Sequence, residues 1–292
     1  MQKWMDEHKV IGVDIGGSHI TTGIVDLKSK CVLPETLGRQ HVNSKDNAEE
    51  IIEAWAKEIN KRFNDYPQVS KKIGIAMPGP FDYENGICLI KGVDKFESLF
   101  GLNIKKLLSG KLKIKDNDLL MMNDASCFLK GEIFGGAAVD RNNVLGVTLG
   151  TGLGSARFHD NKIFDGDLYC LPFKNGTAED YLSSRWFLQQ YKSITGKIAR
   201  NVKELTETLS EEKCIQELFS EFGKNLGEVL YYYAQKHSCQ TIVIGGNITK
   251  AWELFFSETK YILQRLSENV IIKKAELGEE STLIGAASQW II

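Results

Sequence analysis

No stretch of this sequence approaches the roughly 20 consecutive apolar residues that a helix needs to span a bilayer. Met1 to Lys9 is polar and charged, where a secretion signal would carry an apolar segment. There is no C-x-x-C pair either. The six cysteines (Cys31, Cys88, Cys127, Cys170, Cys214, Cys239) stand apart without metal-ligand spacing, and the five histidines show none at helical spacing. Charge of one sign is also missing: 36 Lys and Arg against 38 Asp and Glu leave −2, which offers no basic face for nucleic acid. These absences predict a cytoplasmic chain with reduced, mostly buried thiols, no structural zinc, and no membrane or nucleic-acid partner. Two nucleotide-binding signatures are absent as well. Neither a Walker A motif nor G-x-G-x-x-G after the first strand occurs, so any nucleotide site is neither a P-loop nor a Rossmann fold.

What is present is an α/β pattern. At 292 residues, with 42% hydrophobic and 25% charged residues, the chain fits two globular domains rather than one small core. Val10–Ile15 reads as a buried strand, and His19–Asp26 returns from it across Gly16-Gly17. A third strand is predicted over Cys31–Arg39. Ile51, Ile52, Trp55, Ile59 and Phe63 recur at helical spacing, and Lys72–Met77 is a further strand closed by Pro78-Gly79-Pro80. Leu102–Leu108 reads as a short helix and Asp118–Met122 as a strand delivering Asn123-Asp124 to a helix start. Residues 143–159 then repeat the opening: a strand, the turn Gly150-Thr151-Gly152-Leu153-Gly154, and a returning strand. Helices are predicted over 178–191, 202–209, 212–237, 250–266 and 282–291, and strands over 240–244 and 270–274.

Three glycine turns follow strands: Asp14-Ile15-Gly16-Gly17, Gly150–Gly154 and Gly245-Gly246. Glycine lets backbone N–H groups approach an anion, and three such turns at strand ends in one α/β chain point to phosphate. Asp14 either caps its own turn or holds Mg²⁺ beside phosphate, directly or through water; the other two turns favour the cation. Asp124 either serves the helix start or accepts a proton from a substrate hydroxyl, with Asn123 holding a neighbouring hydroxyl. Phosphoryl transfer needs little more than positioning and charge neutralisation, so one carboxylate suffices as base.

In order and spacing, these segments resemble the ROK family of sugar kinases and related repressors, within the actin-like ATPase superfamily. Asp14-Ile-Gly-Gly-Ser18 is similar to its first phosphate motif, Gly74–Pro80 to its Gly-x-x-x-Pro-Gly-Pro segment, and Asn123-Asp124 to its Asn and catalytic Asp. Gly150–Gly154 resembles the second phosphate motif, Ile242–Gly246 the segment near adenosine, and Leu283–Ala287 the closing helix. The resemblance implies two actin-like (ribonuclease H-like) lobes with mixed sheets and flanking helices: 1–122 with 281–292, and 123–280, with the active site in the cleft between them. It implies ATP and Mg²⁺, a hexose or hexosamine substrate, and a homodimer. Asp124 would be the base and Asp14 the Mg²⁺ ligand. Gly16, Gly17, Ser18, Gly150, Thr151, Gly152, Gly154, Gly245, Gly246 and Asn247 would hold the nucleotide, while Gly79, Asn123, Asp167, Cys170 and Glu179 would face the sugar.

Two departures stand out. Where the family has Glu-x-Gly-His and then a Cys-x-Cys-Gly-x-x-Gly-Cys zinc segment, this chain has Asp167-Leu-Tyr-Cys170, followed by Lys174-Asn-Gly-Thr-Ala-Glu179. Asp167 thus stands for Glu and Cys170 for His, the zinc cysteines are missing, and Glu179 matches the later sugar-binding Glu. This substitution implies either a differently shaped sugar or a pocket that holds its sugar mainly through Asn123, Asp124 and Glu179. The family carries another sugar contact between Gly92 and Leu102, where Lys95-Phe96 lies. A sugar-binding or regulatory protein with little turnover is the alternative. The repressor reading is disfavoured because about nine residues precede the first strand, too few for a helix-turn-helix.

Overall fold

The computed structural model describes residues 6–93, 95–207, 212–265 and 270–291. Its contacts divide the chain into two units: residues up to Val139 together with those from Glu279 onward, and Asp140–Gly278.

In the first unit, β1 (Lys9–Ile15) and β2 (His19–Asp26) pair antiparallel as the apolar pattern predicts. The predicted third strand is split into β3 (Cys31–Val32) and β4 (Gly38–His41), with a 3₁₀ turn at Pro34–Thr36 between them. Pro34 lacks the N–H that a continuous ladder needs there. Helix α1 (Ala48–Asp65) starts at Asn47, whose side chain accepts the Glu50 amide, and buries Ile51, Trp55, Ile59 and Phe63. β5 (Ile73–Met77) pairs parallel to β1, and a small hairpin of β6 (Phe81–Asp82) and β7 (Ile87–Cys88) follows. After α2 (Ile104–Leu112), β8 (Leu119–Asn123) pairs parallel to β5 and runs straight into α3 (Asp124–Gly135). The sheet order is β3-β2-β1-β5-β8, with β4 also on β2.

Helix α3 belongs to this first unit rather than to the second, where the boundary at residue 122 would put it. Its packing against the closing helix explains why. That helix (Ser281–Ala287) lies on a surface cleared by glycines: a methyl group on Gly74 would sit 1.9 Å from the Ala286 carbonyl oxygen, and one on Gly131 2.0 Å from that of Ser281. Backbones that close leave no room for side chains. At the same junction the buried Glu132 accepts hydrogen bonds from the Ser281 hydroxyl (2.6 Å) and the Ala137 amide (2.8 Å).

The second unit repeats the plan. β9 (Val144–Leu149) and β10 (Leu153–His159) form the antiparallel hairpin, β11 (Lys162–Asp165) extends it, and a short hairpin of β12 (Pro172–Phe173) and β13 (Gly176–Thr177) follows. The helix predicted over 178–191 is broken into α4 (Ala178–Tyr181) and α5 (Ser184–Thr195). Helix α6 (Val202–Glu207) and the long α7 (Lys213–His237) precede β14 (Thr241–Gly245), α8 (Trp252–Leu263) and β15 (Ile271–Lys274). The far ends of the predicted helices 202–209 and 250–266 lie outside the described residues. β9, β14 and β15 run parallel, giving the order β11-β10-β9-β14-β15. The core of this unit is aromatic: Phe187 packs on Phe219 and Phe222, with ring centroids 4.5 and 4.7 Å apart. The closing helix of the chain is α9, Ser281–Ala287, followed by a 3₁₀ turn at Ser288–Trp290. Among the described residues no helix is long and apolar enough to cross a membrane.

Candidate active site

In the first unit the parallel register puts Asp14 opposite Ala76, and Ala76 opposite Met122. With strands about 4.8 Å apart, β1 and β8 stand roughly 10 Å from each other at this level. Two carboxylates flank that gap: Asp14 near the end of β1, and Asp124 just past the end of β8. Both are half-buried. Burial pushes the Asp14 carboxyl up to about 7; the Asp124 charge adds to the rise and Arg39 opposes it. Beneath them the buried Cys127 thiol is pushed well above its ordinary value, first by desolvation and then by Asp124 and Asp14. Cys127 is therefore an inert packing residue.

Both members of the Asn-Asp pair meet the start of α3, where the Asp124 Oδ1 accepts the Ala125 amide at 2.9 Å. Asn123 is the N-cap of α3: its Oδ1 accepts the amides of Ala125 (3.0 Å) and Ser126 (3.2 Å). Asp124 is then the first helical residue, at the end of α3 where the backbone N–H groups lack intrahelical partners. The Asn123 Nδ2 donates to the Tyr83 hydroxyl at 3.2 Å, and Tyr83 donates to the Met77 carbonyl at 3.0 Å. Gly79 lies against the same phenol, where a methyl group would come within 3.1 Å of its oxygen. Tyr83 thus braces both Asn123 and the Pro78–Pro80 segment. Sequence reading missed it because an isolated Tyr in a loop carries no pattern.

The turn after β1 is exposed at Gly16, Gly17 and Ser18. The Gly16 amide closes the hairpin on the His19 carbonyl at 2.8 Å; the amides of Gly17 and Ser18 make no backbone hydrogen bond among the described residues. Backbone N–H groups left open in a turn are what an anion recruits. The second unit shows the same economy. The Gly150 amide closes on the Gly152 carbonyl at 3.1 Å, while those of Thr151 and Gly152 are uncommitted among the described residues. Gly154 has already entered β10, opposite Thr148. At the third turn, Gly245 ends β14 and Gly246 has φ +89°. A methyl group on Gly246 would lie 2.4 Å from the Leu149 carbonyl oxygen. Only glycine allows the turn of β14, with exposed Asn247 beyond it, to rest against the end of β9.

Glu179 grips the second turn. Its Oε2 accepts the Leu153 amide at 2.9 Å and its Oε1 accepts from Arg185 at 2.6 Å. The break between α4 and α5 now has a reason: the Ser184 amide and hydroxyl both donate to the Gly150 carbonyl, at 2.8 and 2.9 Å, instead of joining a helix ladder. Ser184 and Arg185 escaped the sequence reading because helical periodicity runs through them. Asp167 and Cys170 lie on an exposed 3₁₀ turn, with Asp167 in the left-handed region (φ +51°). Burial and the nearby Asp165 push the Asp167 carboxyl up, and the Cys170 thiol donates to the Asp167 carbonyl at 3.3 Å. Tyr169 between them is 50% exposed and takes no part in the core.

Where the resemblance would place zinc ligands, the β12–β13 hairpin packs instead. Leu171, Phe173 and Tyr181 pack against the core of the second unit, Phe173 and Tyr181 meet edge to face at 5.4 Å, and the Lys174 ammonium lies over both rings while donating to Asn225 at 2.7 Å. These residues do not fit zinc. The carboxylate oxygens of Asp14, at the mouth of the first glycine turn, are of the hard kind that Mg²⁺ takes.

The ROK family matches residues 10–291 of this chain. Among curated proteins, an N-acetyl-D-glucosamine kinase of Vibrio parahaemolyticus is 25% identical over 307 residues, covering 94% of this chain and 97% of its own. Among solved structures, a ROK family glucokinase from Streptomyces griseus, in complex with glucose and AMPPNP, superposes with a TM-score of 0.77 at 21% identity, over 96% of this chain and 98% of that one. A ROK hexokinase from Thermus thermophilus does so with a TM-score of 0.74 at 22% identity, over 96% of each chain. These structural likenesses are likenesses of fold, and the family assignment comes from the match along almost the whole sequence. The chain belongs to the ROK family.

Proposed function

We propose that this protein is a cytoplasmic ATP-dependent kinase that phosphorylates a hydroxyl of a hexose or hexosamine, with Asp124 as general base. The observation that carries the reading is the placement of Asp124: at the head of α3, with its neighbour Asn123 consumed as cap, and facing Asp14 across the parallel strands. Relatives named as an N-acetyl-D-glucosamine kinase and a glucokinase support the substrate class.

In this reading Asp124 accepts the proton of the acceptor hydroxyl as the oxygen attacks the terminal phosphorus of ATP, whose bond to the bridging oxygen breaks to release ADP. The open amides of Gly17 and Ser18, and those of Thr151 and Gly152, bind phosphate oxygens. Gly245, Gly246 and Asn247 border the nucleoside. Asn123, through its cap, fixes the direction of the first turn of α3 and so the aim of Asp124. Glu179 holds the second turn in shape from behind while its segment faces the sugar. Mg²⁺ would be held by Asp14, directly or through water, and supplies charge neutralisation for the phosphates. Asp167 and Cys170, one methylene shorter than Glu and a thiol in place of imidazole, set a sugar preference of their own.

Sugar-dependent ADP release across a panel of hexoses and N-acetylhexosamines tests the proposal. Turnover with at least one sugar, abolished in Asp124→Asn, is expected. The absence of turnover with every sugar, despite measurable sugar binding, would favour the alternative of a sugar-binding protein, which the exposed Asp167 and Cys170 motivate.

A further inference from the structure

We propose that Lys95 completes the phosphate site of the first unit, placing its ammonium over the Asp14–Ser18 turn to engage the terminal phosphate of a nucleoside triphosphate. The inference rests on the kinase reading and adds to it a residue that none of its motifs contains.

The geometry begins with reach. A methyl group on Gly17 would lie 3.7 Å from Cδ of Lys95, so the aliphatic stem of this lysine passes beside Gly17 and its ammonium is two bonds further on. Lys95 is half-buried along that stem, as expected of a lysine that lays its methylenes on a surface. Among the described residues its ammonium has no carboxylate partner within salt-bridge distance. The uncommitted amides of Gly17 and Ser18 belong to the same turn. A compact cation beside two free N–H groups is the donor set of a phosphate oxygen cluster.

The surrounding loop is built to hold the lysine there. Phe96 adopts the left-handed region at φ +56°, uncommon for a bulky residue, and persists because its side chain is fully buried. Its ring meets Trp55 edge to face at 5.5 Å, and its amide donates to the Ser44 carbonyl at 2.7 Å. Ser98 donates to the Asp46 carbonyl at 2.8 Å, and the Val93 amide to Glu97 at 2.9 Å. Residues 42–46, to which this loop is fastened, are themselves tied to the turn: the Val42 amide donates to the Ser18 carbonyl at 2.9 Å. Lys95 is thus fixed beside the turn through a continuous set of hydrogen bonds. The unfavourable backbone of Phe96 is what a site of fixed geometry shows, rather than a loose surface loop.

Titration calorimetry with AMPPNP, with ADP and with AMP, on wild type, Lys95→Met and Lys95→Arg, reads the proposal directly. Lys95→Met should weaken AMPPNP about ten- to a hundredfold, the scale of one charge-assisted contact. AMP, which lacks both the β- and the terminal phosphate, should bind unchanged, ADP, which lacks the terminal phosphate alone, should lose far less than AMPPNP, and Lys95→Arg should keep most of the AMPPNP affinity. Equal AMPPNP affinity in wild type and Lys95→Met overturns the proposal, and so does a parallel loss of ADP or AMP. A rise in the KM for sugar with AMPPNP affinity intact also overturns it and assigns Lys95 to the sugar. Failure of the kinase reading looks different: no sugar releases ADP from wild type, whereas the AMPPNP-to-AMP comparison needs no turnover.

Discussion

The two glycine turns sit at equivalent places in sheets of the same order, each closing an antiparallel hairpin whose first strand is flanked on its other side by parallel strands, yet they are secured in opposite ways. In the second unit a carboxylate, Glu179, reaches in from behind and takes the backbone amide of Leu153, with Ser184 holding the Gly150 carbonyl. In the first unit the stem of Lys95 passes beside the turn, and the carboxylate nearby, Asp14, precedes the turn in its own strand. A turn clamped from behind presents a fixed set of N–H groups. A turn bordered by an acid and a cation presents charge. In the proposed reading, the first suits the part of a nucleotide that is only bound, and the second the end where bonds change.

The largest effect expected falls on the chemistry. Asp124→Asn should lower sugar-dependent ADP release by about 10²- to 10⁴-fold, the usual contribution of a general base, while AMPPNP affinity stays near wild type. Unchanged turnover would remove Asp124 from the role.

Next comes a direct contrast between the turns. Gly152→Ala puts a methyl group 2.5 Å from Glu179 Oε2, a side chain pinned at both oxygens, and should destabilise the protein by about 1–3 kcal/mol in urea denaturation. Gly17→Ala meets only the Lys95 stem at 3.7 Å and should stay within about 0.5 kcal/mol. Equal costs would show that the two turns are held alike.

Glu179 itself can be dissected. Glu179→Ala leaves the Leu153 amide without its acceptor and should cost about 1–3 kcal/mol. Glu179→Gln keeps an acceptor and loses mainly the ion pair with the exposed Arg185, so about 0–1 kcal/mol is expected. A Gln variant as unstable as the Ala variant would place the weight on charge instead.

A further effect concerns pH. The Asp14 carboxyl is raised in the folded state from its ordinary 3.8 to about 7, so the folded protein binds more protons than the unfolded chain across that window. Its contribution is favourable below the unfolded value and is lost as pH rises toward 7. With chelator present, thermal melts of Asp14→Asn should therefore gain on wild type as pH goes from 5 to 8. A difference that shrinks over that range would contradict the burial of this carboxylate.

Much of this was legible in the residues. Alternating and helical apolar spacing marked both hairpins and α1, and the repeat of strand, glycine turn and strand marked the echo between the units, because these signals are local. The failures were local rules overridden at a distance. The helix predicted over 178–191 breaks because Ser184 bonds to Gly150, 34 residues away. The boundary moved from residue 122 to Val139 because Gly74 and Gly131 admit a helix from the far end of the chain. Lys95 and Tyr83 had no periodicity to betray them.

By itself, then, the sequence determined the α/β class, the family, and the order of the glycine turns and acids, since each rests on neighbours in the chain. Only the tertiary structure decided that the Asn123 and Asp124 side chains both meet the Ala125 amide, that Glu179 braces the backbone of a turn, and that the Lys95 stem comes beside Gly17. Those outcomes depend on which distant groups arrive at hydrogen-bonding distance, and no local pattern encodes that.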